Sequence, residues 1–433
     1  MVVTSVPPEI TNQPVVKRLA NGLTIIAEQM PTAAVNLNIW LRVGSRVESD
    51  AINGMAHFLE HMIFKGTPQL QCGEFERLIE ERGAITNAAT SQDYTHYYIT
   101  TAPQDFAKLA PLQVELLLNA NLHDGDFERE RPVILEEIRR SEDNPRRRVF
   151  QHSMTLNFDQ LPYRRTVLGP TSVIEQLSAK QMRDFHRRWY QPQNMTAVVV
   201  GDLPVDQLIA TVEQSFEQAL AHRHQESITE PLEGMPVSTP EEPFESISRV
   251  DYTDATLQQA RLVISWRVPG LRQLSETYAL DVVASILGQG RTARLVQDLR
   301  ETRALVNSIS ASNITYGEQG VFYLSANLAT EQLEAVELLV LEHIQRLHDE
   351  PVSEAELKRV RTQVANRYVF GNETSSDRAS MYGYYHALTG DIENALNYPA
   401  EIKSVDAEMI QAAVRQYLPV TAYGALRLQP EAN

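Results

Sequence analysis

One cysteine, Cys72, in 433 residues leaves no intrachain disulfide framework and no all-cysteine metal site. Nor does any apolar run approach the roughly 20 residues that cross a bilayer as a helix, so no membrane partner is expected. Positive charge is also in short supply: 39 Lys+Arg face 56 Asp+Glu, a formal net charge of −17. Binding of nucleic acid or an anionic membrane calls for clustered basic residues, and this balance argues against both, while basic peptides stay compatible. The opening stretch MVVTSVPPEITNQP has neither a cationic n-region nor an apolar h-region, so no secretion signal is read there and a cytoplasmic location is expected.

What is present alternates between two periods. Segments over Leu23 to Ala27, Val35 to Val43, Thr95 to Thr101 and Thr196 to Gly201 read as strands. Helices are predicted over Gly54 to Phe64, Gly73 to Arg82, Asp105 to Ala120, Val133 to Ser141 and Ser178 to Trp189, the first with Asn53 as N-cap and Gly66 as stop. From His222 to Ser246 prolines and scattered acids break the periodicity. That predicts a linker over 222–246 between an N-terminal domain, 1–221, and a C-terminal domain, 247–433. The two halves repeat. NIWLRVGS (Asn38 to Ser45) matches VISWRVPG (Val263 to Gly270), and each is followed by an apolar helix, AHFLEHMIFKG or LDVVASILGQG. Aligning these helices sets Asp281, Ala284 and Ser285 opposite His57, Glu60 and His61, so the copies share architecture and differ in chemistry.

His57, Glu60 and His61 form H-x-x-E-H, and at 3.6 residues per turn all three project within one sector of about 100°. Two imidazoles one turn apart suit Zn²⁺, and a carboxylate beside them can accept a proton from activated water. A catalytic zinc needs a third protein ligand, and the acid-rich stretch Asp124 to Arg140 is where to seek it. Glu136 has an ordinary explanation as an exposed ion pair with Arg140. Glu137 shares a face with Val133 and Ile134, where a carboxylate is costly unless neutralised. Glu130 lies about 20° from Glu137 on the same helix, a supporting neighbour, and Pro132 is expected to kink that helix or lie near its start.

HFLEHMIFKG (His57 to Gly66), NAATSQDYTHYY (Asn87 to Tyr98), ERPVILEEI (Glu130 to Ile138) and RWYQPQNMTAVVVGD (Arg188 to Asp202) together resemble the M16 (pitrilysin/insulinase-like) zinc peptidases. Within that family the chain is similar to the short form typified by the mitochondrial processing peptidase β subunit. The resemblance implies an α+β fold class of two tandem homologous domains, each a mainly antiparallel sheet flanked by helices. It implies an inverse zincin metalloendopeptidase with Zn²⁺ held by His57, His61 and Glu137, Glu60 as general base and Glu130 as a supporting catalytic acid. The strand after Asn87 would be an edge along which an extended peptide adds, touching Asn87 and Ala88. Further on, ILGQGRTARLVQDLRETRALVNSI (Ile286 to Ile309) matches the segment whose arginine, and a tyrosine seven residues later, bind the substrate carbonyl from another half-molecule. Arg300 matches the arginine, but Asn307 stands in place of the tyrosine. The implied assembly is therefore a heterodimer with a related chain that lacks the zinc motif, a homodimer being the alternative, with peptides cut in the chamber between halves. A non-catalytic assembly subunit is the competing function, and it would be expected to carry a degraded metal motif. Arg146, Arg147 and Arg148 read as a solvated or inter-domain patch, and Tyr382 to Tyr385 as packing.

Overall fold

Alternating and continuous apolar segments close into two sheets, one in each half of the chain. The computed structural model describes residues 13–223 and 239–431. Strands β1 (Val15–Arg18), β2 (Thr24–Gln29), β3 (Val35–Leu41), β4 (Ile85–Thr90), β5 (Thr95–Thr101) and β6 (Met195–Gly201) form the first, ordered β1-β2-β6-β3-β5-β4. Strands β7 (Ser248–Thr253), β8 (Ala260–Pro269), β9 (Val306–Ile314), β10 (Gln319–Leu328) and β11 (Gly424–Gln429) form the second, ordered β7-β11-β8-β10-β9. One pair in each is parallel, β2 with β6 and β7 with β11; the rest are antiparallel. The second order reproduces the first without β1. The sequence repeat thus corresponds to β3 and β8, and the fold class is the expected one.

The first half carries helices α1 (Met55–Ile63), α2 (Glu74–Glu80), α3 (Pro103–Asn119), α4 (Asp124–Glu142), α5 (Pro145–Asn157), α6 (Thr171–Ile174), α7 (Ala179–Trp189) and α8 (Val205–His222). The second carries α9 (Leu274–Gly288), α10 (Leu333–Asp349), α11 (Glu354–Phe370), α12 (Ser375–Thr389), α13 (Glu393–Ser404) and α14 (Ala407–Tyr417). His222, expected to begin the linker, instead ends α8. Of the linker, 224–238 lie outside the described residues, and 239–246 contain no helix or strand. Among the described residues no helix is long and apolar enough to cross a membrane.

Two helices are exchanged between the halves. α12 packs on β3 and β6 of the first sheet, and α5 packs on β8 and β11 of the second. That explains why β3 and β6 are buried at every residue. Leu37 and Ile39 face the first half's own core, while Trp40, Val198 and Val200 face Ala379 and Tyr382 of α12. Gly383 sits where a Cβ would come within 2.1 Å of Trp40 Nε1, so the tyrosine cluster is packing, as expected.

A buried ionic cluster also joins the halves. Arg46 Nε lies 2.9 Å from Asp93 Oδ1, and Arg46 Nη1 lies 2.8 Å from Glu318 Oε1 across the boundary. Arg272 closes on Glu318 Oε2 at 2.8 Å, and Gly317 N–H donates to Asp93 Oδ2 at 2.9 Å. Removing Arg46 would leave the buried acids Asp93 and Glu318 without the cation between them. Arg46→Ala should therefore lower stability by about 3 kcal/mol in chemical denaturation. A loss near zero would mean that water enters and solvates the two acids.

Candidate metal centre

The metal motif sits on α1, which begins at Gly54 rather than at a side-chain cap from Asn53. Gly54 adopts φ 97°, a left-handed conformation, and a Cβ there would meet Leu168 O at 2.5 Å. The first turn's free N–H groups are satisfied from a distance. Glu48 accepts from Gly54 N at 2.8 Å and Ala56 N at 2.7 Å, and Asn53 spends its amide on Glu48 Oε2 at 2.9 Å. Burial pushes the Glu48 carboxyl up to about 7, with the hydrogen bonds from Ala56, Asn53 and Gly54 working against that rise. No local signal pointed to Glu48.

From this start α1 turns His57, Glu60 and His61 toward α4. The two imidazole rings lie 4.9 Å apart, centre to centre. Glu137 Oε2 stands 3.4 Å from His57 Nε2 and 3.5 Å from His61 Nε2. All three residues offer ligand atoms within 4.8 Å of one another, and among the described residues no other trio of His, Cys, Asp or Glu does so. A tetrahedral ion with bonds of about 2.0–2.2 Å sets its ligands about 3.3–3.6 Å apart, the spacing of Glu137 from each histidine here and longer than an ordinary N–H···O bond. The donor set of two imidazoles and one carboxylate fits zinc and leaves a fourth position for a non-protein ligand.

Glu136 lies on the exposed side of α4 and Glu137 beside the two histidines, but part of the reasoning that separated them does not hold. Glu136 pairs with Arg139 at 2.8 Å and Arg140 at 3.0 Å on the exposed side. Val133, assigned to the apolar face, is 48% exposed; the buried stripe of α4 is Phe127, Glu130, Ile134 and Ile138. Glu137 borders that stripe and is half-buried. α4 also starts at Asp124, well before the predicted Val133, and runs through Pro132. The carbonyl that Pro132 leaves without a helical donor belongs to Glu128, which is exposed and can be solvated.

Three further residues support the trio. Glu130 Oε1 lies 3.0 Å from His61 Nδ1, which directs Nε2 of that ring toward the centre. Lys65 Nζ, 2.6 Å from Glu130 Oε2, neutralises this buried acid. Thr90 donates its hydroxyl to Glu60 Oε2 at 2.5 Å. Lys65 and Thr90 escaped the sequence reasoning, although both lie inside the quoted motifs. Glu137 is held well below the usual carboxylate range by hydrogen bonds from His57 and then His61. Burial favours the neutral form of His61, yet Glu137 and Glu130 outweigh it and raise its pKa.

The site opens into a cleft of about 800 Å³ lined by His57, Glu60, Glu137, Thr90 and Phe150 among others. Asn87 and Ala88 lie on β4, the last strand of the first sheet, opposite Tyr98 and Tyr97. Of that strand it is Ala89 and Thr90 that line the cleft. Arg300 does not reach it within this chain: its guanidinium pairs with Glu301 at 2.5 Å. Asn307 is exposed, at the point where β9 slips against β10. Tyr316, nine residues beyond Asn307, stacks on Tyr163 at 4.5 Å and turns its hydroxyl to Met154 Sδ at 3.6 Å. In the second half, the positions aligned with the motif hold Asp281, bonded to Tyr398 and Asn313 at 2.8 and 2.9 Å, and no ligand trio.

Comparison with known proteins bears on the same division. Residues 23–171 match the family model described as Insulinase (Peptidase family M16), and residues 176–364 match the one described as Peptidase M16 inactive domain. His57, His61 and Glu137 all fall in the first. An uncharacterized zinc protease of Mycobacterium tuberculosis is 27% identical over 416 residues, covering 96% of this chain and 93% of its own. The zinc protease PqqE of Helicobacter pylori is 26% identical over 420 residues, covering 95% and 92%. The crystal structure of a protease from Helicobacter pylori superposes with a TM-score of 0.89 at 24% identity, covering 97% of this chain and 100% of that one. A putative M16-like peptidase from Alicyclobacillus acidocaldarius gives 0.83 at 21% identity, covering 98% and 100%. With both M16 domain models matched in tandem, over residues 23–171 and 176–364, the chain belongs to peptidase family M16.

Proposed function

We propose that the chain is a zinc-dependent endopeptidase that hydrolyses extended peptides or unfolded segments. The observation that carries this reading is the trio His57, His61 and Glu137, with Glu137 3.4 and 3.5 Å from the two imidazoles and Glu60 on the same helix as both histidines. Zinc, when bound, supplies Lewis acidity that polarises a scissile carbonyl and lowers the pKa of water toward about 7. The chain's own residues do the rest. Glu60, oriented by the Thr90 hydroxyl, accepts the proton of the attacking water and passes it to the leaving amine. Glu130 holds His61 in the tautomer that presents Nε2, and Lys65 keeps Glu130 ionised. A peptide adding along β4 would pair with Asn87 and Ala88 and run on past Ala89 and Thr90 into the cleft. The aligned positions of the second half carry no such set, which is the pattern of a supporting domain rather than of a wholly non-catalytic chain.

The Arg300–Asn307 pair sets the assembly we propose: a heterodimer with a related chain that lacks the zinc motif and supplies an arginine–tyrosine pair, closing a chamber. A homodimer would bring Arg300 with Asn307 and would lack one donor to the developing oxyanion, a defect of about 10²–10³ in kcat. The test measures zinc content and peptide cleavage by the chain alone, by the chain with a zinc-motif-lacking M16 relative, and by Asn307→Tyr alone. The partner or the added tyrosine should raise kcat, and unfolded substrates should be cut in preference to folded ones. Full activity alone, indifferent to both changes, would rule out the heterodimer. Absence of zinc and of cleavage in every combination would rule out the enzyme.

A further inference from the structure

The arginine run at the start of α5 divides into two kinds of residue. Arg148 is the inter-domain member: its Nη2 lies 2.6 Å from Asp254 Oδ2, and it also reaches Thr256 and the Glu142 carbonyl. Arg146 and Arg147 are exposed and line the same cleft as His57, Glu60 and Glu137. Among the described residues neither has a carboxylate partner at ion-pair distance, whereas Arg148 beside them does. Asn144 Oδ1 accepts from the backbone N–H of both, at 3.0 and 3.4 Å, and so holds them at the positive end of a 13-residue helix. Arg261 of β8 adds to the concentration of charge: burial, and then the nearby Arg146, lower its pKa. Cations gathered in this way repel one another and attract an external anion. Besides Glu60 and Glu137 at the metal centre, Glu142 is the one acid that lines this cleft.

On this basis, and resting on the endopeptidase reading, we infer that Arg146 and Arg147 select peptides carrying a carboxylate away from the scissile bond. Glu137 and Glu142 are separated by about 7.5 Å along α4, with Arg146 just beyond the turn. At about 3.3 Å per extended residue the carboxylate would stand roughly three residues from the cut. The anion could be an Asp or Glu side chain or the free C-terminus of a short peptide. This reverses, inside the cleft, the preference for basic peptides that the overall charge suggests.

The test is a peptide set with Asp, Asn or Lys at each position from two to five on either side of the cleavage point, each made as free acid and as C-terminal amide. The readout is kcat/KM with the zinc-loaded protein and its partner, and direct binding by fluorescence anisotropy with Glu60→Gln. The native protein should favour Asp over Asn by about fivefold at one position, or free acid over amide if the C-terminus is the anion, with the preference fading in high salt. In Arg146→Gln/Arg147→Gln that ratio should fall to about 1, and Arg146→Lys/Arg147→Lys should restore part of it. Equal handling of Asp, Asn and amide by the native protein, or a preference unaltered in the double glutamine variant, would overturn the assignment while leaving the peptidase reading intact. Failure to cut or bind any peptide would strike the peptidase reading itself.

Discussion

Glu60→Gln should lower kcat for peptide hydrolysis by about 10²–10⁴ while zinc content and melting temperature stay as in the native protein. The reason lies in what Glu60 touches. It shares the α1 face with the two histidines, but the trio is completed by Glu137, so removing the Glu60 charge leaves the ligands in place. Glutamine keeps an oxygen for the Thr90 hydroxyl and so keeps the side chain where it was. What disappears is a group able to take a proton. Zinc by atomic absorption, calorimetry and single-turnover cleavage together separate these properties. Near-native turnover in a zinc-replete variant would show that another group is the base. Loss of zinc together with activity would make Glu60 a ligand instead.

Zinc affinity should fall at least about 100-fold in Glu137→Gln, because a neutral amide replaces an anionic ligand, and remain unchanged in Glu136→Gln. Glu136 is spent on Arg139 and Arg140 at the exposed side of α4. Glu130→Gln should lie between, at about 10–100-fold, since it loosens His61 without removing a ligand. The pH dependence follows from the same contacts. In the metal-free protein the His61 pKa is raised above its usual value, so the charged pair adds stability below about 6.5 and that contribution is lost as pH rises through the higher folded value. Zinc competes with that proton, so its apparent affinity should weaken as pH falls, beginning above 6.5. Competition titrations with a zinc chelator from pH 5.5 to 8.5 check both claims. An affinity lost in Glu136→Gln and kept in Glu137→Gln would reverse the assignment of the third ligand.

The sequence by itself determined the features that rest on local period. Five residues, His57 to His61, suffice to put two imidazoles and a carboxylate on one helix face, because the turn of 3.6 residues does the aligning. The strand pattern and the repeat of Asn38 to Ser45 at Val263 to Gly270 were legible for the same reason: alternation and buried runs leave their mark wherever a strand meets a core. Glu136 was separable from Glu137 by its neighbour Arg140 and by the apolar face read for Glu137, of which Ile134 is buried and Val133 is not. The full length of α4 was not legible, since Pro132 argues locally against a helix that packing of Phe127, Ile134 and Ile138 sustains. Only the tertiary structure decided which distant groups serve the site. Glu48 caps α1 across a loop, Lys65 meets Glu130, and Thr90 reaches Glu60 from β4. The exchange of α5 and α12 between sheets likewise brings Arg146 and Arg147 to the cleft and Arg148 to Asp254. Apart from the Glu48 cap, eight positions from Ala56, such contacts join residues 30 to 106 positions apart, and their distance is set by how helices and sheets pack, a quantity that no window of local sequence contains.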